Sequence, residues 1–531
     1  MLKRLVAFIF FMVLSASGLA NMDEGLLANN NKDYASALKA LQPLAEQGNA
    51  KAEFSLGVMH ENGRGVTRDD AQAAQWYRKA ADQGYAQAQF NLGVMYANGS
   101  GVERDDAQAV LWYRKAAVQG DAHAQLFLGA KYANGTGVIK DDTQAAQWYR
   151  KAADQGDVNA QFNLGDMYAK GQGVAKDDMQ TALWFSRAAD QGYAKAQLFL
   201  GYLYENGQGV AKDNTQAALW YRKAADQGVA QAQVFLGDLY KYGQGVTKDY
   251  AQAVQWYRKA AVQGDVNAQF NLGDMYAKGQ GVAKDYTQTA LWFSRAADQG
   301  DAQAQLNLGL LYENGQGVAK DNTQAALWYR KAADQGDAKA QLYLGAKYAN
   351  GTGVAKDDVQ AVQWFRKAAD QGNAHAQCTL GVMYSNGTGV VKDDAQAVQW
   401  LRKAADQGYV KAQFNLGFMY ENGRGVVKDD VQALHWCQSA AKQGNAYAQR
   451  AIGLLYRDKK GANKNLIMAY AWLNLASAGG EPNAKKERDA VAANLTSKEL
   501  QQAQQLASKW RKGTLIKEVP YKSKNVRQPE K

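Results

Sequence analysis

Residues 159–178 read NAQFNLGDMYAKGQGVAKDD, and residues 267–286 read NAQFNLGDMYAKGQGVAKDY, so only the last position differs. Working outward from these segments, the dipeptide Leu-Gly recurs every 36 residues from 56/57 to 416/417, and Ile452-Gly453 closes the series. The two opening segments lie 108 residues apart, which is three times 36. The chain is therefore an array of repeats in which a block of three units was duplicated.

Tryptophan follows the same period independently of the Leu-Gly dipeptide. Only Trp510 of the 13 tryptophans lies outside the register. The likeness between the duplicated blocks extends from about 157–228 to 265–336. Repeats of this length cannot bury their own apolar faces, so each must pack on its neighbours. The tryptophans in register are Trp76, Trp112, Trp148, Trp184, Trp220, Trp256, Trp292, Trp328, Trp364, Trp400, Trp436 and Trp472.

Within one repeat the apolar residues predict two short helices joined by a glycine turn. They recur at i+3 and i+4 in AQFNLGDMYAKG (160–171) and again in DDMQTALWFSRAADQG (177–192). Asp177 precedes the second helix and Gln180 follows three residues later, which predicts an N-cap similar to a capping box. Gly192 predicts the end of that helix.

The glycines of a repeat have two predicted uses. Gly171 and Gly173 stand between the helices, where the reversal demands positive φ or close backbone approach, and Val174 is expected to fill the corner. The glycine of Leu-Gly lies inside a helix, where it is unfavourable by about 0.5–1 kcal/mol relative to alanine. We therefore expect the second helix, with its tryptophan, to approach that backbone closely. The Trp-Tyr pairs are expected in the core rather than as stacking platforms for sugars or bases.

The repeated residues resemble those of the Sel1-like repeats, which are related to tetratricopeptide repeats. The resemblance covers about 49–480 and implies an all-α fold, a right-handed α/α superhelical solenoid of about 12 helix-turn-helix repeats that serves protein recognition and signalling. Secreted and envelope proteins of bacteria occur in this family. The matching residues in one repeat are Leu92-Gly93, Tyr96, Gly99, Gly101, Val102, Asp105, Ala109, Trp112-Tyr113, Lys115-Ala116-Ala117 and Gly120.

The ends of the chain depart from the repeat. Residues 1–20 have two positive charges, an apolar stretch and small residues, the layout of a secretory signal peptide, and are too short in apolar length to span a bilayer. Residues 21–48 and 481–512 are expected to form capping helices. Lys459, Ala462 and Asn465 replace the glycine, valine and aspartate of the repeat, and 513–531 is expected to be a disordered basic tail.

The net charge of +11 is concentrated at the ends. Lys3 and Arg4 contribute +2, and 485–531 contributes 12 − 5 = +7, which leaves 11 − 2 − 7 = +2 for the body. Nucleic acid is therefore excluded as the main partner, because it requires a contiguous basic face. The tail is a candidate for weak contact with anionic envelope polymers. The leader predicts export to the periplasm or beyond, and we expect a monomer without a transmembrane segment.

No catalytic, cofactor or metal site is predicted. The histidines His60, His123, His375 and His435 are too far apart in sequence to suggest a ligand pair. Cys378 and Cys437 occupy slots that are apolar in other repeats, which favours buried free thiols, although a bridge between adjacent repeats stays open in an oxidising compartment. The recurring aspartates Asp69, Asp105 and Asp141 are interpreted as helix caps rather than as a calcium ladder.

The residues that vary between repeats are the candidates for binding a partner. Two slots of the first helix differ from unit to unit, one before the leucine and one after the glycine of Leu-Gly. Asparagines there are suited to clamp an extended backbone, aromatic side chains offer anchors, and the aspartates are expected to make the middle of the groove acidic. The candidates are Asn91, Phe127, Asn163, Asp166, Phe199, Tyr202, Phe235, Asp238, Asn271, Asp274, Asn307, Tyr343, Asn415 and Phe418.

The sequence therefore favours a non-enzymatic scaffold that binds a partner protein, such as a host factor, along the concave face of the solenoid. One alternative is a periplasmic regulator that senses the envelope through a membrane partner. Another is an envelope hydrolase acting on peptidoglycan or a β-lactam, which would need a clustered nucleophile and base.

Overall fold

A computed structural model describes residues 22–458 and 464–521. The chain divides into two compact units, Met1–Asp265 and Val266–Lys531. The regular structure of the described residues is entirely helical, and each unit is a stack of helical hairpins, so the predicted all-α solenoid is confirmed. The predicted signal peptide, 1–20, lies outside the described residues, as do Lys459 and Ala462.

The helices are numbered along the chain. The first unit contains α1 (22–30), α2 (Tyr34–Glu46), α3 (Ala50–Asn62), α4 (Asp70–Asp82), α5 (Ala86–Asn98), α6 (Asp106–Val118), α7 (Ala122–Asn134), α8 (Asp142–Asp154), α9 (Val158–Lys170), α10 (Asp178–Asp190), α11 (Ala194–Asn206), α12 (Asn214–Asp226), α13 (Ala230–Tyr242) and α14 (Tyr250–Val262).

The second unit contains α15 (Val266–Lys278), α16 (Tyr286–Asp298), α17 (Ala302–Asn314), α18 (Asn322–Asp334), α19 (Ala338–Asn350), α20 (Asp358–Asp370), α21 (Ala374–Asn386), α22 (Asp394–Asp406), α23 (Val410–Asn422), α24 (Asp430–Lys442), α25 (Ala446–Asp458), α26 (Leu466–Ala478), α27 (Ala484–Ala492) and α28 (Ser497–Lys509). In each repeat, the first helix is called helix A and the second helix B. Thus α9 is a helix A and α10 is its helix B.

Each helix B from α4 to α24 begins at an aspartate cap. The Asp177 carboxylate accepts hydrogen bonds from the backbone N–H groups of Met179 and Gln180, at 2.9 and 3.0 Å. Asp69, Asp105 and Asp141 cap their helices in the same way. The interpretation as caps is therefore confirmed, because each carboxylate satisfies backbone donors that have no partner inside the helix.

The glycines that follow helix A and helix B have positive φ, as predicted. They differ in how much space surrounds them. Gly171 and Gly173 have φ of 67° and 66°, and Gly192 after helix B has φ of 90°. A Cβ on Gly173 would overlap the backbone carbonyl of Asp142, at the start of the preceding helix B, whereas no atom lies within 4 Å of one on Gly192. Gly173 is thus required for docking between repeats, and Gly192 for conformation alone.

The glycine inside helix A is required by the residue after the tryptophan. A Cβ on Gly165 would lie 2.7 Å from Cδ1 of Phe185, and the ring of Tyr77 occupies the same place against Gly57. At Gly417 the neighbour is the Cys437 sulfur. The predicted close approach of helix B is confirmed, but the prediction that the tryptophan causes it was wrong.

The tryptophans join neighbouring repeats. Ten of the twelve in register are buried, with 1–9% of their surface exposed, while Trp76 and Trp436 are half-buried. Trp184 packs into a core shared by two repeats, with Tyr149 of the preceding repeat and Leu164 of its own. Its ring is covered by the Arg187 guanidinium, 4.4 Å from the centroid. Buried and covered rings cannot serve as stacking platforms, so the prediction of a core role is confirmed for these ten.

The repeats are also joined by a ladder of glutamine side chains, which the sequence analysis missed. Gln161 is 4% exposed; its Nε2 donates to the Ala153 carbonyl at 3.2 Å. Its Oε1 accepts from Gln191 Nε2 at 2.8 Å, on helix B of the same repeat, whereas Ala153 belongs to the preceding repeat. Equivalent Gln–Gln bonds recur in both units. Buried amides are therefore paired throughout this ladder.

The two ends of the array are covered by additional segments. At the N-terminus, α2 begins after the cap Asp33, and Leu41 packs in one core with Leu56. At the C-terminus, α28 begins with a capping box of Thr496 and Glu499. The helix α26 is capped by Asn465, which takes over the role of the aspartate.

Residues 513–521 differ from the predicted disordered tail. The Gly513 N–H donates to the Lys442 carbonyl at 2.7 Å, and Asn465 Nδ2 donates to the Val519 carbonyl at 2.8 Å. Ile516 is buried in the C-terminal core. The segment is retained because it covers apolar surface that the last helices would otherwise expose. The rest of the predicted tail, 522–531, lies outside the described residues.

Candidate functional site

The fourteen predicted site residues lie in two rows on the A helices, one residue before the buried leucine and one after the glycine. Phe127, Phe199, Tyr202 and Phe418 are exposed, and the other ten are half-buried. Such positions flank the core without belonging to it. Exposed aromatic side chains are the exception on a protein surface, so these four stand out as candidate anchors for a partner.

Two of the exposed phenylalanines, Phe127 and Phe199, rest on other aromatic residues. The Phe127 ring centroid lies 5.5 Å from that of Phe90 and 5.6 Å from that of Tyr113. Phe199 is placed in the same way, 5.6 Å from Phe185. Ring pairs at these distances are favourable in tilted and edge-on arrangements. Each exposed ring is thus held from below while part of it stays open to contact.

In the first unit a groove of about 370 Å³ brings four of the predicted residues together. It runs over the A helices α9, α11 and α13, with Leu198, Leu203 and Phe185 at its base. Asp166, Phe199, Tyr202 and Phe235 line it, together with Ala169, Lys170, Thr181, Gln208 and Gln231. A mostly apolar groove with a few polar groups at its rim is suited to a side chain of a partner.

The predicted aspartates are offset by neighbouring groups, so the groove is less acidic than expected. Asp166 accepts from Lys170 Nζ at 2.7 Å, and Asp274 in the second unit is paired with Lys278 at 2.8 Å. Asp238 accepts from the Tyr257 hydroxyl at 2.6 Å, and burial raises the pKa of this carboxyl. The expectation of a locally acidic groove was wrong, because lysine one helical turn later offsets two of the three charges.

The predicted asparagines and Tyr343 are distributed along the repeats rather than gathered at one point. Gln303 Nε2 donates to the Asn307 side-chain oxygen at 3.2 Å, and Asn415 lies 4.0 Å from the Cys378 sulfur. Asn91, Asn163 and Asn271 are half-buried in the same row. Tyr343 stacks on Tyr329 with centroids 5.3 Å apart.

A second pocket, of about 590 Å³, lies in the second unit between α19 and α21. Of the predicted residues it contains only Tyr343, and the sequence analysis missed the others. Its remaining lining residues are Leu342, Ala346, Ala349, Asn350, Lys356, Asp358, Phe365, His375, Thr379, Met383 and Thr388. The signal that could have revealed it is the alignment of helix A residues at the 36-residue period at the slot of His375, four residues before the first of the two slots chosen.

The cysteines are buried free thiols, as the sequence favoured. Burial raises the pKa of Cys378 to about 11 and, with Glu421 nearby, that of Cys437 to about 12. A thiol that stays protonated at neutral pH is a poor nucleophile. Over residues 22–458 and 464–521 no group of three or more His, Cys, Asp and Glu could hold a metal ion.

The geometry can now be compared with known proteins. The profile described as Sel1 repeat matches twelve consecutive segments: 50–85, 86–121, 122–157, 158–193, 194–229, 230–265, 266–301, 302–337, 338–373, 374–409, 410–445 and 446–481. The chain belongs to the Sel1 repeat family. The Sel1 repeat boundaries fall just before each helix A, so one repeat is one hairpin.

Two solved Sel1-repeat structures are similar to this chain. One is c5321, a protective antigen present in uropathogenic Escherichia coli strains, with 39% identity, a TM-score of 0.69, and coverage of 88% of this chain and 93% of that one. The other is a Sel1 repeat protein from Oxalobacter formigenes, with 39% identity, a TM-score of 0.49, and coverage of 58% and 89%. A search of the curated proteins gave no match. Among the described helices none is both long and apolar enough to cross a membrane.

Proposed function

We propose that this Sel1-repeat protein is a non-enzymatic scaffold that binds a partner protein along the face formed by its A helices. Sel1-repeat proteins are generally scaffolds for protein interactions. The observation that carries the proposal is the groove over α9, α11 and α13, where Phe199 and Tyr202 are each 43% exposed beside Phe235. Aromatic side chains in a groove are the usual energetic centres of protein interfaces.

We place the protein outside the cytoplasm, in the periplasm or secreted. The support is the leader-like composition of 1–20. A host factor is the partner we favour for the secreted protein. The similar protein c5321 is a protective antigen of uropathogenic Escherichia coli strains, which is compatible with exposure to a host. A non-enzymatic role is supported by the suppressed reactivity of both thiols and by the structural use of the recurring aspartates.

The duplicated blocks supply an internal comparison for the groove. Residues 157–228 and 265–336 differ at six positions. Two of the six lie in the groove, where Phe199 and Tyr202 correspond to Asn307 and Leu310. The other differences are Asp178/Tyr286, Met179/Thr287, Tyr193/Asp301 and Lys195/Gln303. The second copy of the block therefore folds with Asn and Leu at these two positions. Replacing Phe199 by Asn and Tyr202 by Leu should change the surface of the groove with little effect on the fold.

The test is capture of a partner by the wild-type chain and by F199N/Y202L. The full chain is immobilised, incubated with host secretions or envelope extract, and the retained protein is identified and then purified for titration. Each lost aromatic contact is expected to cost at least about 1 kcal/mol, so the double variant should weaken binding roughly 30-fold or more.

The matched control is D178Y/M179T, which transfers two other differences between the same blocks, both outside the groove. It should bind as the wild type does, and all three proteins should unfold at the same temperature. Equal capture of the partner by F199N/Y202L would show that the groove is not the binding site. Failure to retain any partner at micromolar concentration from either extract would contradict the proposal itself.

A further inference from the structure

The second residue of helix A varies along the array and becomes basic in three consecutive repeats of the second unit. These residues are Lys339 on α19, His375 on α21 and Lys411 on α23, each 36 positions from the next. In the remaining repeats the slot holds Lys51, Gln87, His123, Asn159, Lys195, Gln231, Asn267, Gln303 and Tyr447. No other three consecutive repeats are basic at this slot, so the row is a local feature and not part of the repeat pattern.

The three side chains of this basic row are accessible. All three residues are exposed, and in the described chain neither Lys339 nor Lys411 makes an ion pair. His375 stacks on Tyr409 with centroids 5.7 Å apart. Partial burial and the nearby Lys411 ammonium lower the pKa of His375, so at neutral pH this residue is an uncharged hydrogen-bonding group between two cations.

The pocket between α19 and α21 lies beside this row, and His375 lines it. Leu342, Phe365 and Met383 give it apolar walls, while Thr379 and Thr388 add hydroxyl groups. The two charged residues of its lining, Lys356 and Asp358, pair with each other at 3.7 Å. Their charges offset each other, and Lys339 and Lys411 remain as two cations that make no ion pair in the described chain.

We propose that this pocket and the basic row bind an extended acidic peptide segment that carries one apolar side chain. The apolar side chain enters the pocket beside Met383, and carboxylates before and after it contact Lys339 and Lys411. The inference rests on the proposed scaffold function and specifies the chemistry of one binding site. Charge complementarity selects the acidic segment, because two unpaired cations flank an apolar pocket without a compensating anion.

The spacing of the row fits a short peptide. Packed helices are separated by roughly 8–10 Å, so Lys339 and Lys411, two A helices apart, are on the order of 20 Å from each other. An extended chain covers this distance with about six residues. A free anion or a nucleic acid would satisfy the lysines but would leave the apolar walls of the pocket unfilled.

The experiment measures fluorescence anisotropy of labelled probes with the full chain, at 50 and 500 mM NaCl. The probes are an octapeptide of aspartate and glutamate with one central leucine, the same peptide with glycine in place of leucine, a lysine octapeptide with the central leucine, and an oligonucleotide of eight thymidines. The first should bind most tightly and should weaken at high salt, since exposed charges are screened. The glycine peptide should bind at least about 5-fold more weakly, because it loses the apolar contact.

Three variants assign the binding to the proposed residues. K339E and K411E should each weaken the leucine peptide about 2- to 10-fold. T379F should fill the pocket and reduce the affinity for the leucine peptide to that for the glycine peptide. The fold accepts this change, because phenylalanine occupies the same slot at Phe127, Phe199 and Phe235. The matched control is K51E, the same charge reversal at the same slot of the first unit. It should leave the affinity unchanged.

Several outcomes would overturn the inference. These are tighter binding of the lysine peptide or the oligonucleotide, equal binding of the leucine and glycine peptides, and equal effects of K51E and K411E. Absence of binding by every probe would overturn it as well. The scaffold function is judged separately, by partner capture with F199N/Y202L, so either idea can fail without the other.

Discussion

The side chain of Gln191 donates to that of Gln161 at 2.8 Å and also to the Gly156 carbonyl of the preceding repeat at 3.0 Å, so Gln191 joins two repeats. Gln161 in turn donates to the Ala153 carbonyl of the preceding repeat, so Gln161 is both an acceptor and a donor. An amide has both functions at neutral pH, whereas a carboxylate only accepts and an ammonium only donates. The ladder therefore adds a directional polar contact to interfaces that are otherwise formed by alanine, leucine and tryptophan.

The first position of the ladder supplies a prediction. Glu53 replaces the glutamine there, is buried, and accepts from Gln83 Nε2 at 2.6 Å. Burial raises the pKa of this carboxyl in spite of the Lys79 charge and the Gln83 bond. We expect Glu53→Gln to stabilise the chain by about 1 kcal/mol at pH 7, because an amide removes the buried charge and keeps the acceptor oxygen.

The stability gained by Glu53→Gln should be larger at pH 7 than at pH 4. A folded-state pKa above the unfolded value means that the protonated carboxyl stabilises the fold at low pH and that this contribution is lost as pH rises. The advantage of Glu53→Gln over the wild type should thus shrink at pH 4, as measured by urea unfolding at both pH values. The exposed Glu103→Gln is the control and should change stability by only a few tenths of a kcal/mol. An equal gain at pH 4 and pH 7 would contradict the argument.

The turn glycines give a second prediction, based on surroundings rather than on φ. Gly192→Ala should cost about 1–2 kcal/mol, the strain of a left-handed residue with free space around it. Gly173→Ala carries the same strain and also overlaps the Asp142 carbonyl, so it should cost clearly more. Chemical unfolding of the two variants compares them directly. Equal costs would mean that the contact between the turn and the preceding helix B relaxes freely.

Much of the fold could be predicted from the sequence, because it depends on interactions between residues that are close in the chain. Asp177 as a cap, Gly171 as a turn and the hairpin itself follow from short-range patterns that recur at the 36-residue period. Contacts between side chains that are distant in sequence could not be predicted in this way. The packing of Phe185 on Gly165, and the pairing of Gln191 with Gln161, depend on how helices face each other.

The candidate site was predictable in position but not in electrostatics. The varying slots of helix A flank the core, and Phe199 and Tyr202 lie together in one groove. The charges were misjudged because Lys170 is one turn from Asp166 and the sequence does not show which way it points. The pocket beside His375 was missed because its walls come from two repeats, and the sequence does not show which side chains of the two face each other.

The buried thiols give a third prediction. A pKa of about 11 for Cys378, against 9.0 for an ordinary thiol, lowers the reactive thiolate about 100-fold at pH 8. We expect iodoacetamide to label the native chain at least that much more slowly than the urea-unfolded chain, as measured by mass spectrometry. Rapid labelling of Cys378 in the native protein would show that its repeat opens readily.

The same shift has a consequence for stability at high pH. Because the folded-state pKa is raised, the protonated Cys378 thiol stabilises the fold. This contribution is complete below pH 9, where the thiol of the unfolded chain is still protonated, and it is lost as pH rises toward 11. Cys378→Leu should remove this part of the pH dependence, and the slot already holds leucine at Leu126 and Leu198. The difference in unfolding free energy between wild type and variant should therefore shift in favour of the variant from pH 8 to pH 10.5.

The fourth prediction concerns a lysine in an apolar slot. Lys347 is 5% exposed and occupies a position that is methionine or leucine in most repeats. Its Nζ donates to Glu313 Oε1 at 2.6 Å and to Asn322 Oδ1 at 3.2 Å. Although burial acts in the opposite direction, the hydrogen bonds from Lys347 and Tyr329 hold the pKa of Glu313 below its ordinary value.

Removing the two members of this pair should have unequal effects. Glu313→Gln leaves a buried ammonium without its counter-charge and should cost about 3–5 kcal/mol, whereas Lys347→Met restores an apolar side chain that the slot accepts at Met383 and should cost far less. The double variant should recover most of the loss of Glu313→Gln. In the wild type, the depressed pKa means that the contribution of Glu313 is present at neutral pH and is lost as pH falls below about 4.5. Urea unfolding of the three variants at pH 7 and pH 3 measures both effects, and equal costs of the two single changes would contradict the asymmetry.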